Sequence, residues 1–89
     1  MNVKVIHLGK TFKKQFEALP VEIKKKALLA ETLFIKNPFH PSLRLHKLKG
    51  RMRGFWSISI NRKYRIIFNP LGGGEFVYTN IGKHSIYED

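Results

Sequence analysis

The sequence predicts an α+β fold of two layers, in which a helical hairpin packs on one face of a mostly antiparallel sheet. Apolar residues recur at the spacing of a helix between residues 12 and 34, and they alternate with polar residues over much of residues 43–81. Helical spacing gathers apolar side chains into one stripe, whereas alternation puts them on one face of a strand. The predicted order of elements is β-α-α-β-β-β-β, and a chain of 89 residues is expected to form one domain, 1–89.

The beginning of the chain supplies the first strand and the first helix. Residues 2–8 predict a strand, with Val3 and Val5 on one side, and Gly9 ends it. Thr11 is expected to cap the first helix, because its hydroxyl can accept a hydrogen bond from the backbone. The apolar stripe of this helix consists of Phe12, Phe16 and Leu19.

The second helix is predicted between two prolines. Pro20 suits its first position, where the missing N–H would be unpaired in any case. Asn37 ends it, because the residue before a proline (here Pro38) is pushed out of the helical region. The predicted buried stripe consists of Ile23, Ala27, Ala30 and Phe34, widened by Leu29 and Leu33. Two helices with so short a link form a hairpin that can cover one face of a sheet.

The second half of the chain predicts the remaining strands. Leu43 and Leu45 are expected to begin a strand, and residues 47–54 (KLKGRMRG) form a basic loop. Residues 55–60 and 64–68 then alternate as a hairpin, with a turn at Asn61-Arg62. The glycine-rich residues 70–74 form a second turn, because glycine permits positive φ angles, and residues 76–81 make the last strand.

Alternation assigns the two faces of the sheet. The apolar sets, expected to face the helices, are Trp56, Ile58 and Ile60 on one strand and Tyr64, Ile66 and Phe68 on the next. The opposite face is expected to carry Arg44, His46, Ser57, Ser59 and Arg65. A register slip of one residue would reverse this assignment, and Leu48, which does not fit the alternation, predicts a bulge near Lys47.

The charge of the chain points to a polyanionic partner. Seventeen Lys and Arg against six Asp and Glu give a net charge of +11 at pH 7. So large an excess favours nucleic acid as the partner, although general solubility or an acidic protein partner would also account for it. No run approaches the roughly 20 apolar residues of a membrane span, and no signal peptide is recognised, so a cytoplasmic protein without membrane association is expected. The chain has no cysteine and its four histidines are irregularly spaced, so neither a metal site nor a cofactor is expected.

The candidate site residues are those that metal-independent RNA cleavage requires: a base, an acid and fixed cations. His46 is the candidate base, His84 or Tyr87 the candidate acid, and Arg65 the candidate phosphate clamp, since a guanidinium binds phosphate oxygens bidentately. The residues expected to hold the RNA backbone are Lys47, Lys49, Arg51, Arg53, Arg44 and Arg62.

Simpler roles remain open for the same residues. His46 could be a surface residue, Tyr87 could pack its ring on the sheet, and His7 and His40 have no predicted chemical partner. Arg65 could instead pair with an acidic side chain, for which the candidates are Glu75, Glu88 and Asp89.

Two segments resemble a known family. Gly54-Phe55-Trp56-Ser57, followed by Ile60 and by Arg65-Ile66-Ile67-Phe68, resembles the central hairpin of the RelE/ParE toxin superfamily, closest to the YoeB-like mRNA interferase branch. Residues 81–87 (IGKHSIY) resemble the I-G-x-H-x-x-[IVY]-Y ending found in many members. The likeness spans the whole chain, and hairpin and ending together are more specific than either alone.

The resemblance implies the toxin of a type II toxin–antitoxin pair with a RelE-like fold. It implies an endoribonuclease that needs no metal and cuts mRNA in the ribosomal A site by attack of the 2′-hydroxyl. Arg65 matches the arginine of the transition state, and His84 and Tyr87 match positions used for the acid and for stacking on the base. Lys49 matches a basic residue near the scissile phosphate. His46 falls where the YoeB-like branch uses a glutamate as base, and histidine can do the same work.

The implied partners are a cognate acidic antitoxin, mRNA and the small ribosomal subunit. The protein would then be a monomer alone or a heteromer with its antitoxin. Two other functions remain open: a ParE-like toxin that inhibits gyrase without nuclease activity, and a catalytically decayed relative that only binds RNA.

Overall fold

A computed structural model describes residues 1–83 and shows two helices followed by a five-stranded sheet. The strands are β1 (Val5–Leu8), β2 (His46–Lys47), β3 (Trp56–Ser59), β4 (Tyr64–Gly72) and β5 (Glu75–Lys83). The helices are α1 (Lys10–Glu17) and α2 (Val21–Lys36), and two short 3₁₀ turns cover Pro41–Leu43 and Gly50–Met52. The predicted fold class and order of elements are confirmed.

The sheet is antiparallel except at one edge. Its strand order is β1-β5-β4-β3-β2, and only β1 runs parallel to its neighbour, β5. A parallel pair needs a long crossover connection, which here contains both helices and the other three strands. β4 therefore lies at the centre of the sheet, and the short β2 forms the other edge.

The main core lies between the helices and one face of the sheet. Phe34 of α2 is fully buried, and its ring lies 5.1 Å from that of Phe68 and 5.7 Å from that of Phe76. Ile58 and Ile66 are buried in the same cluster, and Trp56 and Ile60 pack against it, as alternation predicted. The face that carries these side chains is the one the helices cover.

The opposite face carries a second, smaller apolar cluster. Leu48 and Ile67 are buried there, with Met52 and Phe55 packed against them. The predicted bulge near Lys47 is wrong: pairing of β2 with β3 is regular, and the N–H of Leu48 continues it by donating to the carbonyl of Phe55 at 2.9 Å. Leu48 lies two positions after His46 and so shares its face. Leu48 and Met52 thus pack the basic loop against the sheet.

Helix α1 begins earlier than predicted. Gly9, not Thr11, is its N-cap, and the Gly9 carbonyl accepts the first bond of the helix from the Lys13 N–H at 3.0 Å. The Gly9 N–H donates to the carbonyl of Tyr78, also at 3.0 Å. A Cβ at Gly9 would lie 3.1 Å from that oxygen, so glycine suits this close approach of the chain to β5. The predicted stripe is confirmed, with Phe12 buried and Phe16 and Leu19 packed against the core.

Helix α2 is confirmed, with two corrections. Pro20 is its N-cap and not its first residue, so the helix begins at Val21, one residue later than predicted. Ala27, Ala30 and Phe34 are buried and Leu33 packs against them, but Leu29 is 70% exposed. At 3.6 residues per turn, Leu29 lies about 200° around the helix from Ala27, so it points away from the core. No helix in residues 1–83 is long and apolar enough to cross a membrane.

The strand predicted to begin at Leu43 begins only at His46. Leu43 ends a 3₁₀ turn that starts at Pro41, and Nδ1 of His40 caps this turn by accepting from the Ser42 N–H at 3.2 Å. Arg44, which alternation placed on the strand, instead has a left-handed backbone with φ of 47°. β1 is also shorter than predicted, and Val5 is exposed whereas Val3 and Ile6 pack against the core.

Candidate functional site

The face of the sheet opposite the helices brings His46 and Arg65 into one region. His46 pairs with Ser57 across β2 and β3, and Arg65 pairs with Ser59 across β3 and β4. Partners directly opposite each other share a face, and so do residues two apart on a strand. His46 and Arg65 are therefore two strands and two residues apart, about 12 Å between Cα atoms from standard strand spacing.

Arg65 is held by the turn between β3 and β4. It is only 9% exposed, and its Nη1 donates to the carbonyls of Asn61 at 2.7 Å, Tyr64 at 3.2 Å and Arg62 at 3.4 Å. The turn is itself fixed, because Oδ1 of Asn61 accepts from the N–H groups of Lys63 and Tyr64, both at 2.9 Å. The guanidinium thus has a defined position at the end of two strands.

No carboxylate in residues 1–83 balances the charge of Arg65. Glu75, one of the predicted alternatives, lies 2.9 Å from Nε2 of His7 instead, and Glu88 and Asp89 lie outside the described residues. The ion pairs of the described residues join His7 to Glu75 and Lys24 to Glu17. A buried guanidinium is costly unless it is paired, and within the described part of the chain Arg65 is paired with carbonyl dipoles only, which suits the position to an incoming anion.

His46 is exposed, and within residues 1–83 one hydrogen bond orients its ring. Its Nδ1 lies 3.1 Å from the carbonyl oxygen of Arg44. A carbonyl can only accept, so Nδ1 carries the proton of the neutral ring and Nε2 is left with its lone pair. Nε2 is therefore the atom that can take a proton from a substrate.

A polar depression lies against the same turn. It has a volume of about 240 Å³, and its lining residues are Ser42, Arg44, Ser59, Asn61 and Arg62. Among residues 1–83, no acidic residue lines it, whereas two arginines do. Arg44 and Arg62, predicted as RNA-binding residues far apart in sequence, thus meet at a concave surface beside the turn that holds Arg65.

The other predicted cations divide between two places. Arg51 and Arg53 are exposed in or next to the 3₁₀ turn Gly50–Met52, and Lys49 is exposed just before it. Lys47 lies elsewhere: it pairs with Trp56, its Nζ lies 5.4 Å from the centre of the Trp56 ring, and both belong to the helix-covered side of the sheet. The structure therefore separates Lys47 from His46.

The predicted acids, His84 and Tyr87, lie outside the described residues. The residues that precede them are described: Gly82 pairs with Arg65, and Lys83 pairs with Tyr64. β5 thus runs beside the arginine as far as Lys83.

Sequence reasoning missed the role of Asn61. Its carbonyl accepts the shortest bond from Arg65, and its side chain closes the turn. The available signal was the preference of asparagine for bonding the backbone two residues on, which is common in turns.

The family comparison covers most of the chain. A family model described as the RelE-like toxin of type II toxin–antitoxin system HigB matches residues 12–84. No curated protein sequence matches the chain.

Solved structures of low sequence identity share the fold. YafQ from E. coli strain BL21(DE3) has a TM-score of 0.76 at 19% identity, covering 91% of this chain and 93% of that one. The YoeB/ParE toxin from Agrobacterium tumefaciens also has a TM-score of 0.76 at 19% identity, covering 91% and 99%. The E. coli DinJ–YafQ toxin–antitoxin complex contains a chain with a TM-score of 0.75 at 17% identity, covering 100% of both.

Proposed function

The chain belongs to the RelE-like HigB toxin family of type II toxin–antitoxin systems, and on this premise we propose that it is a metal-independent endoribonuclease that cuts mRNA in the ribosomal A site. The observation that carries the proposal is Arg65, a buried guanidinium on the sheet face opposite the helices, with no carboxylate partner in residues 1–83. A basic polar depression lies beside it. This is the arrangement that a phosphodiester substrate would complete.

In the proposed reaction, Nε2 of His46 takes the proton of the ribose 2′-hydroxyl, and the 2′-oxygen attacks the phosphorus. The bond from phosphorus to the 5′-oxygen breaks, leaving a 2′,3′-cyclic phosphate on one fragment. His84 or Tyr87, following the family resemblance, gives a proton to the leaving 5′-oxygen.

Arg65 would stabilise the charge that grows on the phosphate as it becomes five-coordinate. Its bonds to the turn all use Nη1, so the turn can hold the guanidinium while other N–H groups bind the phosphate oxygens. Arg44, Arg62, Arg51, Arg53 and Lys49 would bind the flanking backbone without reading sequence.

The proposed protein partner is a cognate acidic antitoxin. A net charge of +11 favours fast association with an acidic chain, and such a chain could cover the cationic face. The related YafQ from E. coli has been solved in a toxin–antitoxin complex with DinJ. The toxin would be a monomer when free and part of a heteromer when inhibited.

The proposal is tested by Arg65→Ala in a translation reaction with purified ribosomes, followed by mapping of mRNA ends. We expect the variant to lose cleavage at A-site codons by a factor of about 10²–10³, the usual effect of removing one group that stabilises transition-state charge. Arg65→Lys should also lose most activity, because an ammonium cannot bind two oxygens in parallel.

Lys63→Ala is the matched control, because Lys63 is an exposed cation in the same turn. It should cut as the parent does, and circular dichroism should show that all three variants are folded. Cleavage by folded Arg65→Ala at the parental rate would overturn the mechanism. Inhibition of gyrase supercoiling without RNA cleavage would instead support a ParE-like toxin.

A further inference from the structure

Two open depressions meet beside the turn that holds Arg65. One is the polar depression of about 240 Å³, which Arg44 and Arg62 line. The other has a volume of about 210 Å³ and lies between α2 and the end of β3. Ser42 and Ser59 line both, so the two depressions adjoin as one trough that leads from α2 to the turn between β3 and β4.

The half of the trough against α2 is mainly apolar. The residues that line it include Leu29, Ala30, Leu33, Leu43 and Ile60. Leu29 is 70% exposed, so the main core does not account for a leucine there, but the trough gives it a role as a wall. Apolar cavities of about 150 Å³ bind benzene, so this larger, open half can take one nucleobase, whose flat faces are apolar.

The charged residues of the trough are all basic. Lys26 lines its apolar half, and Arg44 and Arg62 line its polar half. All three are exposed, and none has an acidic partner within residues 1–83. No acidic residue of that part of the chain lines either half. Because a guanidinium can bind two phosphate oxygens in parallel, the polar half suits a phosphate group.

The backbones of these two arginines connect the trough to the proposed catalytic side chains. The carbonyl of Arg44 accepts from Nδ1 of His46 at 3.1 Å, and that of Arg62 accepts from Nη1 of Arg65 at 3.4 Å. Arg44 also has a φ of 47°, the only positive φ of a non-glycine residue in residues 1–83. Arginine at this position carries backbone strain that glycine or asparagine would reduce, and strained residues cluster at functional sites. A phosphate bound by the two arginines would therefore lie next to the reacting phosphate.

We propose that the trough binds one nucleotide of the RNA, the one that adjoins the scissile phosphate. This inference rests on the proposed function and names a subsite for it. The phosphate of this nucleotide would lie at Arg44 and Arg62, and its base would lie against Leu29. Inorganic phosphate would occupy only the polar half and a nucleoside only the apolar half, so the ligand class follows from the two halves together.

The first test is binding of three probes to the full chain without ribosomes: adenosine 5′-monophosphate, adenosine and inorganic phosphate. Titration with the nucleotide should shift the NMR signals of Leu29, Leu33, Arg44 and Arg62 together. Adenosine and phosphate should each bind at least tenfold more weakly, because each fills only one half. Equal affinity for the nucleotide and phosphate, shifts confined to the arginines, or no binding of the nucleotide would overturn the proposal.

Two adjacent leucines test the apolar half. Leu29→Ser should lower the affinity for the nucleotide severalfold and leave the affinity for phosphate unchanged. Leu28→Ser is the matched control, because Leu28 is also exposed but lines a different cleft, between α1, α2 and the sheet. Equal affinities of the two variants for the nucleotide would show that the base does not lie in the trough.

A double variant tests the polar half. Arg44→Asn/Arg62→Gln should lower the affinity for the nucleotide at least tenfold, and asparagine is chosen at position 44 because it tolerates the left-handed backbone. Lys13→Gln/Lys14→Gln makes the same change in net charge on α1 and should keep the affinity within about twofold. Equal losses would mean that the basic chain attracts anions in general, and the assignment would be wrong.

The ribosome assay connects the trough to mRNA. Leu29→Ser should raise the KM for mRNA-programmed ribosomes severalfold and keep kcat within about twofold, whereas Leu28→Ser should change neither; an unchanged KM for Leu29→Ser would overturn the assignment to mRNA. If the parent cuts mRNA but does not bind the nucleotide, this inference fails and the proposed function stands. If the parent binds the nucleotide in the trough but cuts no RNA, the proposed function fails and the trough is still a nucleotide site.

Discussion

At the scale of single residues, Arg65 shows that a sequence pattern can predict the sheet face on which a residue lies but not its hydrogen-bond partners. Alternation put it on the face opposite Ile66, and the structure agrees. Its partners were not predictable, because they are three backbone carbonyls of one turn, and every residue type has a carbonyl. The candidate pairing of Arg65 with Glu75 failed for a different reason: Glu75 bonds His7 instead, and the parallel pairing of β1 with β5 that brings these two together cannot be read from a local sequence pattern.

His46 gives a prediction at this scale. His46→Ala should lower the single-turnover rate of RNA cleavage by about 10²–10⁴-fold, the usual contribution of general base catalysis. His46→Glu should recover part of the rate, because a carboxylate can also accept the proton. His7→Ala is the control, since His7 is an exposed histidine on the far edge of the sheet. Equal rates for the His46 and His7 alanine variants would remove His46 from the mechanism.

Glu31 gives a prediction about pH. Burial raises the pKa of Glu31 above its ordinary value of 4.5, so the folded chain binds this proton more tightly than the unfolded chain does. The parent should therefore lose stability relative to Glu31→Gln as pH rises from below 4.5 through the raised pKa, and the difference should then level off. Urea unfolding of both proteins between pH 3.5 and 7 measures this. A constant difference over that range would contradict the assignment.

At the scale of elements, helical stripes were predicted better than element ends. The i, i+4 spacing of Phe12 and Phe16 can be read directly from the sequence, and in the structure both side chains belong to the main core. The cap of α1 was mispredicted because Gly9 acts through contact with the distant Tyr78. The start of β2 was mispredicted because the side chain of His40 stabilises a 3₁₀ turn, and histidine is not a recognised capping residue.

The corrected face of α2 can be tested by truncation. Phe34→Ala should lower the free energy of unfolding by about 3–5 kcal/mol, because it empties a fully buried ring position in the main core. Leu29→Ala should change it by less than about 0.5 kcal/mol, since Leu29 is mostly exposed. Denaturant melts of the two variants against the parent provide the measurement. A large cost at Leu29 would mean that α2 is rotated relative to the structure.

At the scale of the whole molecule, composition and family resemblance supported more of the function than any single pattern did. The family was recognisable from residues 54–68 and 81–87 together, and the match over residues 12–84 agrees. The separation of Lys47 from the other cations was missed because residues 47–54 were assigned to a loop, where alternation assigns no face; Lys47 is instead a strand residue and points to the face opposite that of His46.

The distribution of charge predicts a salt dependence. The double variant Arg51→Gln/Arg53→Gln should reduce the slope of log affinity for single-stranded RNA against log salt concentration by about 1.4, since each phosphate contact contributes about 0.7. Lys13→Gln/Lys14→Gln makes the same change in net charge on the exposed side of α1, in the layer away from the proposed face. Fluorescence anisotropy between 50 and 200 mM salt compares the two. Equal loss of slope would show that net charge, not the loop, sets the affinity.

The parallel pairing of β1 with β5 has a consequence for biosynthesis. His7 and Glu75, which bond across this pair, are 68 positions apart in the chain. While a ribosome is still translating the second half, β1 has no neighbour, and the strand that flanks Arg65 is still unmade or inside the exit tunnel. We expect the nascent toxin to be inert towards the ribosome that makes it, and stalled chains lacking β5 to be cut readily by protease. Protection of such chains would show that the fold closes earlier.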